Sequence, residues 1–130
     1  MVMTGGTTLP ADAAQASRNQ GEKGMNATTR ARYEARAEIL KALAHPTRLF
    51  MAEQLSRGER CVCDLTDMVG ADMSTVSKHL AVMKRAGVVV DEKRGSQVFY
   101  SLRLTCVLNF LRCAEEVLKA DARDRTAAAR

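Results

Sequence analysis

Residues 70–89 read GADMSTVSKHLAVMKRAGVV, and the organisation of the chain follows from this stretch. Gly70 can take the left-handed backbone that closes a preceding helix, and Asp72 is a short acceptor suited to cap the next. Val76, Leu80 and Met83 then recur at helical spacing, so one side of that next helix is apolar and the other polar. Gly87 ends it, and the period changes at once, because Val88-Val89-Val90 is a β-branched run. A tight Gly70-Ala71-Asp72 turn between two short helices supplies the ingredients of a helix-turn-helix.

Upstream, Leu65, Met68 and Val69 form the apolar face of the helix that ends at Gly70. Before it, a helix through Leu49, Met51, Ala52 and Leu55 opens at His45-Pro46-Thr47, with Pro at its first position, and stops at Arg57-Gly58. A first helix is expected from about Arg32, with Tyr33, Ala37, Leu40 and Ala44 on one face. Residues 1–27 are rich in Gly, Thr, Ala, Ser and Asn without apolar periodicity, which predicts a disordered leader. Downstream, Val98-Phe99-Tyr100 is a second β-type run, and the polar stretch from Asp91 to Gln97 is centred on Gly95, so the two runs form a hairpin with a basic tip. A last helix is expected over 104–119, with Leu104, Leu108, Leu111 and Leu118 along one side, and a fraying tail over 121–130. The fold class is mainly α with a small β-hairpin: a winged helix-turn-helix domain over 28–120, with about five helices and a two-stranded wing.

The totals agree with one domain. The 130 residues are 46% hydrophobic but only 4% aromatic with no Trp, so Leu, Val, Met and Ala must build the core. A net charge of +5 suits a polyanionic partner. No apolar run approaches the 18 or so residues of a membrane span, and no secretory signal opens the chain, so a cytoplasmic protein with no membrane association is expected. The four cysteines are then reduced, and their clustering points to metal or redox chemistry rather than structural disulfides.

In a helix-turn-helix the second helix enters the major groove of DNA with its N-terminal residues against the base edges. Those residues here are Ser74, Thr75, Ser77, Lys78 and His79, nearly all able to hydrogen-bond. Lys84 at the far end and Lys93, Arg94 and Gln97 in the hairpin complete the candidate DNA-binding set, the cations reaching phosphates, which set register but carry no sequence information. The competing reading is that such charges simply solvate an outer face. The order of three helices, a turn, a Ser/Thr-rich helix and a basic hairpin favours DNA.

The pieces AHPTRL at 44–49, GERCVCDL at 58–65, STVSKHLAVMKRAGVV at 74–89 and RGSQVFYSL at 94–102 resemble the ArsR/SmtB family of metal-responsive winged-helix repressors, in that family's order and spacing. The resemblance implies a homodimer built on the first and last helices. It also implies a double-stranded operator as partner, and repression relieved when an inducer binds.

Cys61 and Cys63 are the candidate inducer ligands. Residues two apart on a helix point about 200° apart, so both thiols can share an ion only where the first turn lies partly outside the helix. Arg57, Arg60 and the helix dipole are expected to favour the thiolate, with Glu59 and Asp64 in opposition. The alternative is two small buried apolar residues. Within GERCVCDL the resemblance implies the sensing role. Two departures shape the choice of ion. Arsenic sensors of the C-V-C-D-L-C type carry a third thiol where Thr66 stands, and the zinc sensors' Asp-x-His pair falls on Leu104 and Cys106. Thiolates prefer soft ions, so As(III) or Sb(III) is the expected inducer, with Cd(II) or Pb(II) behind.

Cys106 and Cys113 lie seven residues apart, ~10.5 Å along a helix, so at most one can complete a site with Cys61 and Cys63. The last helix leads away from the DNA side, which favours Cys113 as third metal ligand, Cys106 second and an exogenous thiol third. Catalysis is not expected, since no Gly-rich anion cradle accompanies the cysteines. The remaining alternatives keep the fold and change the signal: a persulfide or oxidant sensor that bridges two cysteines, or a regulator whose cysteines are idle.

Overall fold

The computed structural model describes residues 24–130. The leader expected over 1–27 therefore lies, up to residue 23, outside the described residues. In chain order the elements are α1 (Ala27–Leu43), α2 (Pro46–Ser56), β1 (Arg60–Cys61), α3 (Val62–Val69), α4 (Met73–Arg85), β2 (Val89–Arg94), β3 (Gln97–Leu102) and α5 (Val107–Ala128). Ala35–Arg130 is one compact unit; the described residues before it, 24–34, which include the first turns of α1, belong to a second. In that second unit the Asn26 carboxamide accepts the Thr29 N–H at 2.8 Å and caps α1, which starts five residues ahead of Arg32.

The helix boundaries are written in local chemistry. His45 is extended, its ring accepts the Thr47 N–H, and Pro46 opens α2. Gly70 closes α3 at φ 75°, and Asp72 accepts the Thr75 N–H at 2.9 Å to open α4. Gly95 turns the hairpin at φ +61°, a backbone that a Cβ would strain.

The wing is larger than the expected two-stranded hairpin. Arg60 and Cys61 form β1, which pairs antiparallel with β3 (Arg60 with Tyr100, Cys61 with Phe99), and the sheet order is β1-β3-β2. Two residues are too short to show a period, and only their partners across the sheet make them a strand. The last helix also differs: it starts at Val107 and runs to Ala128, so the segment expected to fray from 121 is helical. Its Ala, Arg and Asp residues include strong helix formers, and Arg125 sits in the last turn, where a cation suits the helix dipole.

The core is aliphatic, as the low aromatic content requires. Met51, Leu65, Val76, Leu80, Met83, Val88, Val89 and Val107 are fully buried, so the Val76–Leu80–Met83 stripe faces inward as expected. On α1 the inward residues are Ala42 and Leu43 with Ile39 against them; Tyr33, Leu40 and Ala44 are exposed and Ala37 is half-buried. On α5, Leu111 packs on the chain's own core, as does Leu104 just before the helix, while Phe110, Val117 and Leu118 point outward. No helix among the described residues is long and apolar enough to cross a membrane.

Candidate nucleic-acid interface and thiol site

The outer face of α4 carries the hydrogen-bonding residues together. Ser74, Thr75, Ser77 and Lys78 are all exposed, because the helix spends Val76, Leu80 and Met83 on the core. Met73, at the start of the helix, is exposed with them, an apolar contact surface that a reading confined to polar side chains misses.

His79 is placed differently. It is half-buried, its ring centroid lies 4.4 Å from that of His45, and its Nδ1 sits 3.2 Å from Arg48 Nη1. Arg48 Nη2 in turn donates to the Lys41 carbonyl at 3.3 Å. His79 thus joins α4 to α2 and to the end of α1 rather than projecting with the serines. Burial, with the nearby His45 and Arg48 charges, pushes its pKa below the ordinary 6.5. The unfolded chain therefore binds the proton more readily. Stability is full above about 6.5 and is lost as pH falls through it toward the folded value. The melting temperature should fall between pH 7 and pH 5.5, and His79→Gln should flatten that slope; an unchanged slope would remove His79 as its cause.

The candidate phosphate contacts are not equivalent. Lys93 is exposed at the wing and makes no ion pair among the described residues, and Gln97 is exposed across from Arg94. Lys84 is paired with Asp91 at 3.0 Å, which holds its pKa up. Arg94 is held by two carboxylates, Glu59 and Glu92. Its charge is partly answered within the chain, a placement that needed the fold, since Glu59 lies 35 residues away.

The two thiols sit where α3 meets the sheet. Cys61 is the extended N-cap residue, outside the helix, and its sulfur accepts the Asp64 N–H at 3.2 Å. Cys63 follows two residues on, in the first turn of α3, and its thiol raises the Cys61 pKa. Cys61 is buried and Cys63 exposed, so one edge of the pair is open to an incoming ion. The expected lowering of the thiol pKa does not hold. The Asp64 N–H favours the Cys61 thiolate, but burial, the Asp64 carboxylate and the Cys63 thiol outweigh it, and the pKa is raised. Arg57 and Arg60 do not offset this.

The third sulfur is not close by within the chain. Among the described residues no three His, Cys, Asp or Glu side chains converge on a common point, so neither Cys113 nor Cys106 joins Cys61 and Cys63. Cys113 is exposed on α5. Cys106 is exposed at an apolar groove of about 310 Å³ lined by Ile39, Leu40, Leu43, Leu104, Val107 and Phe110.

Residues 45–90, from the His45 cap through α4 into β2, match the model of the bacterial regulatory protein arsR family. The HTH-type transcriptional repressor SmtB of Mycobacterium tuberculosis is 42% identical over 69 residues, 53% of this chain and 51% of that protein. The arsenic resistance transcriptional regulator ArsR1 of Pseudomonas putida is 38% identical over 65 residues, 49% of this chain and 51% of that protein. The chain thus spans about half the length of these two relatives. The HTH-type transcriptional regulator Rv0081 of M. tuberculosis is 36% identical over 96 residues, 73% of this chain and 84% of that protein. Its crystal structure superimposes with a TM-score of 0.62 over 72% of this chain and 95% of that one. Helix order, wing and sequence agree: the chain belongs to the arsR family of bacterial regulatory proteins and has its winged helix-turn-helix fold.

Proposed function

We propose that this protein is a cytoplasmic homodimeric repressor that holds operator DNA when reduced and ion-free, and releases it when As(III) or Sb(III) binds Cys61 and Cys63. The observation that carries this reading is the thiol pair at the α3 N-cap, with Cys61 extended and outside the helix, and Cys63 exposed in its first turn. That arrangement avoids the opposed directions two thiols would have inside a regular helix. Two adjacent sulfurs suit a soft ion better than a hard one. A relative whose name assigns it to arsenic resistance matches 49% of the chain. The third sulfur is supplied by Cys113 of a second copy or by a small thiol.

DNA reading falls to Ser74, Thr75, Ser77 and Lys78, and phosphate contact chiefly to Lys93. Lys84 and Arg94, each already paired with a carboxylate, and Gln97 make the secondary contacts, and His79 holds the reading helix against α2.

The test is fluorescence anisotropy of a labelled operator complex titrated with arsenite, antimonite, cadmium, lead and zinc. Arsenite and antimonite should weaken the complex about 5- to 150-fold, the usual range of allosteric coupling. Zinc should do nothing. A response to cadmium or lead alone would change the ion, and no response to any would remove the sensing role. In the same assay Lys93→Ala should weaken binding to all sequences and lower the salt slope by about 1, whereas Ser77→Ala should blur preference between operators. Identical behaviour of the two variants would undo the division between positioning and reading residues.

A further inference from the structure

β1 makes the thiol site and the wing parts of one sheet. Cys61 is paired with Phe99, and β3, which carries Phe99, is paired along its whole length with β2. A second link runs through side chains. Glu59, two residues before Cys61, accepts both guanidinium nitrogens of Arg94, with Arg94 Nη2 3.0 Å from Glu59 Oε2. The Ser101 hydroxyl reaches the same Oε2 at 3.4 Å, and Arg94 Nη2 also donates to Glu92 at 2.7 Å. The guanidinium carbon lies 4.8 Å from the centre of the Phe99 ring. Arg94 is the last residue of β2, beside the Gly95-Ser96 turn, so the wing tip is tied to the segment that carries the thiols.

Such a fork depends on geometry. Two parallel N–H···O contacts need the carboxylate and guanidinium nearly coplanar, and a small rotation of either costs both. An ion that bridges the Cys61 and Cys63 sulfurs competes with the Asp64 N–H for Cys61, and so acts on the residue where cap, ladder and thiol coincide. Backbone rotation there reaches Glu59 through one intervening residue and Phe99 across the ladder.

We propose that Glu59 is a positioning residue that lets the wing respond to the state of Cys61 and Cys63: with the thiols free, Glu59 holds Arg94 and the wing tip in register, and ion binding breaks the fork and displaces the wing. This rests on the proposed sensing role of the thiols. It assigns the release of DNA to the wing, whereas the other route, from α3 directly into α4, would act on the reading helix.

The chain has no Trp, so Ser96→Trp at the exposed turn gives a single indole fluorophore on the wing tip of the full-length protein. Arsenite is added to Ser96→Trp and to Ser96→Trp/Glu59→Ala without DNA, with sulfur–arsenic absorbance followed alongside; circular dichroism checks the fold. The change in indole emission should be clear in the first protein and fall at least fivefold in the second, with the absorbance titration unchanged. The arsenite-induced loss of operator affinity should shrink at least fivefold as well. An equal emission response in both proteins would overturn the relay, as would loss of arsenite binding in Glu59→Ala, which would make Glu59 part of the ion site. Operator release by bound arsenite with no change in indole emission would overturn it and leave the sensing role standing. No sulfur–arsenic absorbance in either protein would overturn both.

Discussion

Phe110→Glu should yield a folded monomer whose operator affinity is about 10²- to 10⁴-fold below the parent's, the factor lost when two linked binding modules become independent. The large side chains at Leu40, Phe110, Val117 and Leu118 are each more than half exposed, on helices α1 and α5. Phe110 also borders the apolar groove formed with Ile39, Leu40 and Leu43. A soluble monomer seldom leaves large apolar side chains grouped in this way, and a second copy of the same surface would bury them. Position 110 is the informative one because its side chain lies outside the chain's own core. Glu there meets water in the monomer and an apolar surface only in the dimer, where an unpaired buried charge is expensive. Leu111→Glu would confuse the two, since Leu111 packs on the core of its own chain. Sedimentation should show the monomer, and circular dichroism should show helix content retained. A monomer with unchanged operator affinity would end the dimer model, and so would an unaltered dimer.

Cys61→Ser and Cys63→Ser should each keep the ion-free operator affinity within about threefold and lose the arsenite response entirely, against the 5- to 150-fold response expected of the parent. The physical case differs for the two. Cys61 is buried at 6% exposure, but its sulfur already accepts the Asp64 N–H, and a serine hydroxyl is a better N-cap acceptor in the same place. The substitution therefore leaves no orphaned polar group and should not unfold α3. Cys63 is exposed, so Ser there changes little but the ligand. Neither residue is on the outer face of α4, which is why DNA binding should survive. Loss of operator binding in both variants with the fold intact would make the cysteines structural. X-ray absorption of the arsenite-loaded parent should count three sulfurs. If Cys113→Ser lowers that count to two, the third comes from a second copy; if the count stays at three in both Cys113→Ser and Cys106→Ser, a small thiol supplies it.

Much of this architecture is legible before any coordinates, because it is encoded within a few consecutive residues. Gly70, Asp72 and the Val76–Leu80–Met83 spacing specify a turn, a cap and an inward face, and each does so through contacts made no more than a turn or two away. The same holds for Pro46 at the start of α2 and for Gly95 between two β-type runs. The position of Cys61 and Cys63 at a helix start is local too, and with it the possibility that one thiol stands outside the helix.

What tertiary structure alone decided concerns partners far apart in sequence. Arg60 and Cys61 are a strand only because Tyr100 and Phe99 complete their hydrogen bonds. His79 reads as an exposed polar residue until α2 brings Arg48, 31 residues away, against its ring. Arg94 reads as a free cation until the sheet sets Glu59 opposite it. Both α1 and α5 carry apolar residues on more than one side. Periodicity finds an apolar stripe but not which stripe the chain's own core will cover. That choice belongs to packing, and here it left Leu40, Phe110 and Val117 facing outward while Leu43, Val107 and Leu111 turned in.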